Sequence, residues 1–117
     1  MSLEGIKEWF AKTLKRIFRS TLRSLEDEIE RCEEELSTLK PGSKAYKDVK
    51  EDYESLLSQR TKLLSETSVK EKVALIGVIG GAAGWMLYRV FIEHTTDPFF
   101  SKIAENIFKD GEKWVGK

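Results

Sequence analysis

The sequence predicts an all-α protein, in which an antiparallel helical hairpin of the coiled-coil type precedes a long apolar, transmembrane helix and a short C-terminal amphipathic helix. Three observations lead to this fold class. Two heptad seams flank a Pro-Gly turn, an uncharged run of 16 residues follows them, and an apolar face with helical spacing comes last. With 117 residues, and with 20 basic and 20 acidic side chains, the chain has room for one small domain.

Residues 1–17 predict a basic amphipathic helix. Apolar residues recur on one helical face from Ile6 to Ile17, and basic residues lie opposite them. A helix of this kind can lie on a membrane surface, where its cations meet anionic lipid headgroups. The residues expected to face the headgroups are Lys7, Lys12, Lys15, Arg16 and Arg19.

Residues 18–66 predict an antiparallel helical hairpin with its turn at residues 40–43. On both sides of the turn, the residues on the seam recur at spacings of three and four, which is the pattern of a heptad seam. Pro41 and Gly42 cannot continue a helix, so the chain reverses there. Facing seam positions have residue numbers that sum to 85. Arg60 is the one charged residue on these seams, and we expect it to set the register by pairing with acidic residues of the first helix.

Residues 69–94 predict a single apolar helix that crosses a membrane. Residues 73–88 are all apolar or glycine, and a helix of about 20 apolar residues spans about 30 Å, the thickness of the hydrocarbon layer. A Ser-x-x-Glu capping box precedes the run and marks the start of a helix. Trp85 and Arg89, towards the far end of the run, suit the headgroup region.

Four glycines on this predicted helix form two overlapping Gly-x-x-x-Gly motifs. In water each glycine would weaken a helix by about 1 kcal/mol relative to alanine, whereas in lipid the smooth face lets two helices approach closely. We therefore expect the chain to form a homo-oligomer through this helix-association face. Its residues are Gly77, Gly80, Gly81 and Gly84.

Residues 97–111 predict a short amphipathic helix. Asp97 is suited to the N-cap, Pro98 to the first turn, and Gly111 to the end of the helix. The apolar face of this helix either lies on a membrane surface or forms the last helix of a bundle.

The sequence predicts a non-enzymatic protein, with no catalytic, cofactor-binding or metal-binding residue. His94 is the only histidine and Cys32, on the hairpin seam, is the only cysteine, so no second group stands at metal or triad spacing. The glycine-rich run lacks the Gly-Lys-Ser/Thr ending of a phosphate loop. Because the basic N-terminal segment has a regular apolar face, we expect a lipid or protein partner there and no nucleic acid.

Two segments resemble a group of small uncharacterised proteins encoded by phages and phage-like elements of Gram-positive and gut bacteria. The first is "LKPGSKAYKDVKEDYESLL" at 39–57, which is similar to their Pro-Gly-Ser hairpin turn with a following tyrosine. The second is "WMLYRVFIEHTTDPFFSKIAENIFK" at 85–109, which is similar to the end of their apolar helix and the short Phe-containing helix after it. The resemblance implies a viral or mobile-element origin and no site residues.

The leading hypothesis is a single-pass membrane protein that displays the hairpin and self-associates, acting as a scaffold or structural component of a virion or host-cell membrane. Its expected partners are the lipid bilayer, further copies of itself, and a protein that binds the hairpin. A holin-like pore former is one alternative. A soluble four-helix interaction protein, with residues 73–92 as its central helix, is another.

Overall fold

The computed structural model describes residues 2–65 and 68–115. Over these residues it contains five α-helices and no strand, so the predicted all-α class is confirmed. The first helix contacts each of the other four, and the molecule measures 57 × 25 × 22 Å along its principal axes. The helices are α1 (Leu3–Thr38), α2 (Lys44–Leu64), α3 (Val69–Ile79), α4 (Gly81–Glu93) and α5 (Pro98–Val115).

Helix α1 is one continuous helix of 36 residues, where the sequence predicts a boundary between a basic helix ending at 17 and a hairpin starting at 18. The Ser2 hydroxyl caps its first turn by accepting from the Gly5 N–H at 3.1 Å. No glycine or proline interrupts residues 6–40. Because the apolar face also continues from Phe10 to Cys32 on one side, nothing in the sequence breaks the helix.

Helix α2 returns alongside the second half of α1. The turn between them contains Gly42 at φ +89°, and the Ser43 hydroxyl caps α2 by accepting from the Tyr46 N–H at 3.2 Å. Arg60 pairs with Glu26. These two residue numbers sum to 86, which is within one residue of the register that the sequence predicts. The far part of the hairpin, α1 from residue 26 onward with α2 up to residue 58, is called the arm below.

The apolar run is divided between α3 and α4, where the sequence predicts one helix over 69–94. The division falls at Gly80, which ends α3, and at Gly81, whose φ of +68° is a left-handed conformation that L-residues with a side chain rarely adopt. The two helices then pack against each other. Within residues 2–65 and 68–115, no helix is both long enough and apolar enough to cross a membrane.

One hydrophobic core lies where α1, α3, α4 and α5 meet, with the end of α2 at its edge. Aromatic rings hold α5 on α1: Phe100 meets Phe10 edge-on at 5.2 Å between centroids, and Phe108 meets Phe18 at 4.9 Å. On α1, α3, α4 and α5 the residues that form the core recur every three or four positions, so each of these helices presents one apolar face to the core. The most deeply buried residues are Phe10, Leu14, Phe18, Leu22, Leu63, Val73, Ile76, Leu87, Phe100 and Ala104.

Helix α5 begins as the sequence predicts and extends further. Pro98 is its first residue, and the Asp97 carboxylate accepts from the Phe99 N–H at 2.9 Å. The helix continues through Gly111 to Val115 and so passes the predicted end at residue 111. Gly111 is buried against the Phe18 ring, and this packing keeps a helix-weakening residue inside the helix.

Candidate interaction surfaces

Three residues of the predicted glycine face, Gly77, Gly80 and Gly84, lie at or beside the contact between α3 and α4 of one chain, whereas Gly81 is exposed at the corner between the two helices. A Cβ atom added to Gly84 would lie 2.3 Å from the Ile76 carbonyl oxygen, and one added to Gly77 would lie 3.0 Å from Tyr88 Cβ. Gly80 is equally close to its surroundings, since its added Cβ would lie 3.1 Å from Ile17 Cγ2 of α1. These glycines let α3 approach α4, and α1 approach their junction, within the same molecule.

Beyond this contact, the junction of α3 and α4 presents an exposed apolar surface, here called the tip. Val78 is 79% exposed, Met86 58% and Trp85 52%, and small residues between them are also exposed. The Trp85 and Tyr88 rings stack with centroids 5.5 Å apart. Large exposed apolar patches are uncommon on monomeric proteins and mark interaction sites. The tip consists of Val78, Gly81, Ala82, Ala83, Trp85 and Met86.

Four of the five predicted membrane-surface cations lie together on the outer face of α1, and Arg23 extends the group. All five of these side chains are exposed, and they border an open groove of ≈ 520 Å³. Their spacings of three, one, three and four residues place them on one side of α1, since the helix turns by about 100° per residue, and this side faces away from the core. We call Lys12, Lys15, Arg16, Arg19 and Arg23 the basic half of a charged stripe.

Lys7, the fifth predicted cation, lies on another side of α1. Its ammonium group is 3.3 Å from the Asp97 carboxylate and 4.3 Å from the centroid of the Phe99 ring, so it joins the start of α1 to the start of α5. The Phe99 N–H and then Lys7 hold the pKa of Asp97 below its usual value. Five residues of helix place Lys7 about 140° around the axis from Lys12, which explains why the two do not share a surface.

The charged stripe continues along the same face of α1 with acidic residues only. Glu30, Glu33 and Glu34 are exposed, and Glu26 is half-buried beside Arg60. The Tyr53 hydroxyl of α2 lies 3.5 Å from Glu33, and partial burial together with this carboxylate raises the pKa of Tyr53. We call Glu26, Glu30, Glu33 and Glu34 the acidic half of the stripe.

The two residues with the most reactive side chains are engaged in packing. Cys32 is buried on the seam between α1 and α2, and burial raises the pKa of its thiol, which disfavours the reactive thiolate. The His94 ring stacks on Phe100 with centroids 5.0 Å apart. Among the described residues, no three or more His, Cys, Asp or Glu side chains are placed to hold a metal ion.

Lys72 is a buried cation that the sequence analysis did not single out. Its ammonium group lies 5.2 Å from the centroid of the Phe108 ring, and its side chain is part of the packing between α3 and α5. In the sequence, Lys72 stands out only because it directly precedes the uncharged run. That position does not show that Lys72 packs on Phe108, which lies 36 residues further along the chain.

Comparisons with protein-family models, with curated proteins and with solved structures find no match for this chain.

Proposed function

We propose that this protein is a non-enzymatic helical scaffold that docks on a lipid membrane through the tip and holds the arm away from it. The observation that supports the proposal is the exposure of three large apolar side chains around the corner between α3 and α4, Val78 near the end of α3 and Trp85 and Met86 in α4. Exposed apolar surfaces on helices can insert into the boundary between headgroups and acyl chains and lie there without crossing the bilayer. The resemblance of 39–57 and 85–109 to phage-encoded proteins favours a viral scaffold.

Lipid is the favoured partner because of the residues that border the tip. Trp85 and Tyr88 have an apolar body and a polar edge, which suits them to the headgroup boundary. Arg89 is exposed and lies four residues after Trp85, on the same side of α4, where its guanidinium can reach anionic phosphates. An uncharged surface with aromatic residues and a cation at its edge is typical of membrane-binding elements.

A second candidate is a helical interaction protein whose tip binds another protein. The observation that favours it is the burial of one side of the apolar run in the chain's own core. Val73, Ile76, Leu87 and Phe91 all pack with residues of α1 and α5. The run is therefore used to hold the molecule together, and only its remaining face is available to a partner. The holin-like hypothesis stays a prediction from the sequence.

Vesicle flotation tests the lipid proposal. The full-length chain is mixed with phosphatidylcholine vesicles containing about a third of phosphatidylglycerol, and the fraction that floats with the vesicles is measured. Full burial of a large apolar side chain stabilises by about 1.5–3 kcal/mol. Replacing both Trp85 and Met86 with serine should therefore lower the vesicle partition coefficient roughly tenfold or more.

Leu3→Ser is the matched control, because Leu3 is 48% exposed and lies at the other end of α1 from the arm, outside the tip. It should leave the bound fraction unchanged. Equal flotation of the wild type and the tip variant would overturn the proposal, as would a wild type that does not float. Bound protein that resists an alkaline carbonate wash would mean that α3 and α4 straighten into one helix and cross the bilayer, as the sequence predicts.

A further inference from the structure

We propose that two copies of this chain associate antiparallel through the outer face of α1, with the basic half of each charged stripe against the acidic half of the other. The proposal concerns a different surface from the membrane-binding tip and does not depend on it.

The charged stripe is a continuous feature of one helix. At about 100° per residue, its nine residues fall within an arc of about 100° on α1. On this arc every residue from 12 to 34 is charged, and the sign changes once, between Arg23 and Glu26. The core-facing residues Phe10, Leu14 and Ile17 lie on the opposite side of the helix.

An antiparallel second copy matches this pattern at eight of the nine positions, and the ninth, Lys12, would face Ser37. If the symmetry axis passes between Ser24 and Leu25, facing residues have numbers that sum to 48–50. Each of the four pairs then joins a cation to a carboxylate, and each occurs twice because the interface is isologous. The pairs are Arg23 with Glu26 and Arg19 with Glu30 near the middle of the arc, Arg16 with Glu34 along one edge, and Lys15 with Glu33 along the other.

Other partners fit the stripe less well. A flat anionic surface, such as a membrane or a nucleic-acid backbone, that followed α1 along Lys12–Arg23 would also meet Glu30 and Glu34, which it repels. A parallel second copy would place like charges opposite each other. The antiparallel copy is the partner in which both halves of the stripe are neutralised together.

The structure leaves room for this pairing. Eight of the nine stripe residues are exposed, and on the acidic half α2 reaches the edge of the arc, where Arg60 pairs with Glu26 and the Tyr53 hydroxyl lies beside Glu33. The tip lies elsewhere: Gly80 contacts Ile17, which is about 160° around the helix from Arg19. A membrane at the tip and a second copy at the stripe can therefore be bound at the same time.

Charge reversal in each half provides the test. One variant carries Lys15→Glu and Arg19→Glu, and the other carries Glu30→Lys and Glu34→Lys, so that Glu26 and its pair with Arg60 stay intact. Sedimentation equilibrium at about 0.05 M salt should show that each variant alone dimerises at least tenfold more weakly than the wild type. An equimolar mixture of the two should dimerise again, because one stripe is then largely acidic and the other largely basic.

The matched control for the first variant is Lys44→Glu with Lys47→Glu, which makes the same change in charge on exposed positions of α2 away from the stripe. It should dimerise as the wild type does, and circular dichroism should show the same helix content in all chains. Raising the salt to about 0.5 M should weaken wild-type dimerisation roughly tenfold, since exposed charges are then screened. A wild type that stays monomeric at low salt, or variants that dimerise unchanged, would overturn the proposal.

A spin label tests the orientation. With Cys32 replaced by alanine and Ser37 by a labelled cysteine, the antiparallel pairing separates the two labelled backbones by about 38 Å along α1. A parallel, in-register pair would separate them by only about 10 Å. A short distance, or no defined distance in the dimer, would contradict the antiparallel arrangement.

Discussion

At the scale of single residues, Gly111 and Phe18 form a contact that leaves no room for a side chain. An added Cβ on Gly111 would lie 2.1 Å from Phe18 Cε1, and the Phe18 ring is fully buried against Phe108 and cannot turn away into solvent. A glycine in a helix ordinarily costs stability relative to alanine. Here the missing side chain is what allows α5 to lie directly on α1.

Replacing Gly111 with alanine should therefore destabilise the protein, by about 1–3 kcal/mol, because overpacking outweighs the gain of about 1 kcal/mol in helix propensity. Urea unfolding, followed by circular dichroism, measures the change. Asp110→Ala is the control: this neighbouring side chain is exposed, so the substitution should change the free energy of unfolding by no more than about 0.5 kcal/mol. A Gly111→Ala protein more stable than the wild type would show that Phe18 can move aside.

The sequence shows which residues can cap or end a helix, but it does not show which distant residue a side chain contacts. From the sequence alone, Gly111 is predicted to end a helix. The contact that places it inside α5 is with Phe18, which lies 93 positions earlier in the chain and is not visible in the local pattern. The same limit applies to Lys7, whose partner Asp97 lies at the start of a different helix. Caps differ in this respect, since Ser43 and Asp97 bond to residues only two or three positions away, and their roles follow from the sequence alone.

At the scale of helices, the glycines of the apolar run decide how α3 and α4 meet. The sequence predicts close helix contact between copies of the chain at these positions, and in the structure Gly77 and Gly84 lie between two helices of the same chain. Periodicity does not reveal that Gly81 adopts a left-handed conformation and turns the chain, because a glycine can continue a helix as well as end it. A motif for contact between two molecules and one for contact within a molecule therefore look the same in the sequence.

Gly81 offers a test in which space and backbone conformation can be separated. No atom lies within 4 Å of an added Cβ, so alanine would fit, but φ +68° should make Gly81→Ala less stable by about 1–2 kcal/mol. Gly81→Asn should lose less, because asparagine enters the left-handed region more readily than alanine does. Thermal unfolding of the two variants measures the difference. Equal losses, or none, would mean that the corner between α3 and α4 does not depend on this conformation.

At the scale of the whole molecule, the core and the arm differ in how much they bury. The core joins four helices around the first half of α1, whereas the arm is a pair of helices in which only Ile29 and Cys32 of α1 are buried. The facing side chains of α2, such as Val49 and Tyr53, are half-buried. Two helices with one narrow seam gain little from packing, so much of the arm's stability depends on its attachment to the core. An arm of this kind suits a scaffold, because a partner can stiffen it.

Native-state hydrogen exchange should therefore divide the described chain into two regions. Amides of α2 near Val49 should open with a lower free energy than amides of α1 near Leu14, since the arm can separate without exposing the core. Val49→Ala should accelerate exchange in the arm and leave the core amides unchanged. Leu14→Ala, in the core, should accelerate exchange of the core amides and lower the unfolding temperature. The arm amides should keep the free energy of their own opening, as long as the global free energy of unfolding stays above it. If every slowly exchanging amide shares one free energy and both substitutions shift all of them equally, the arm and the core unfold as one unit, and the arm is as rigid as the core that supports it.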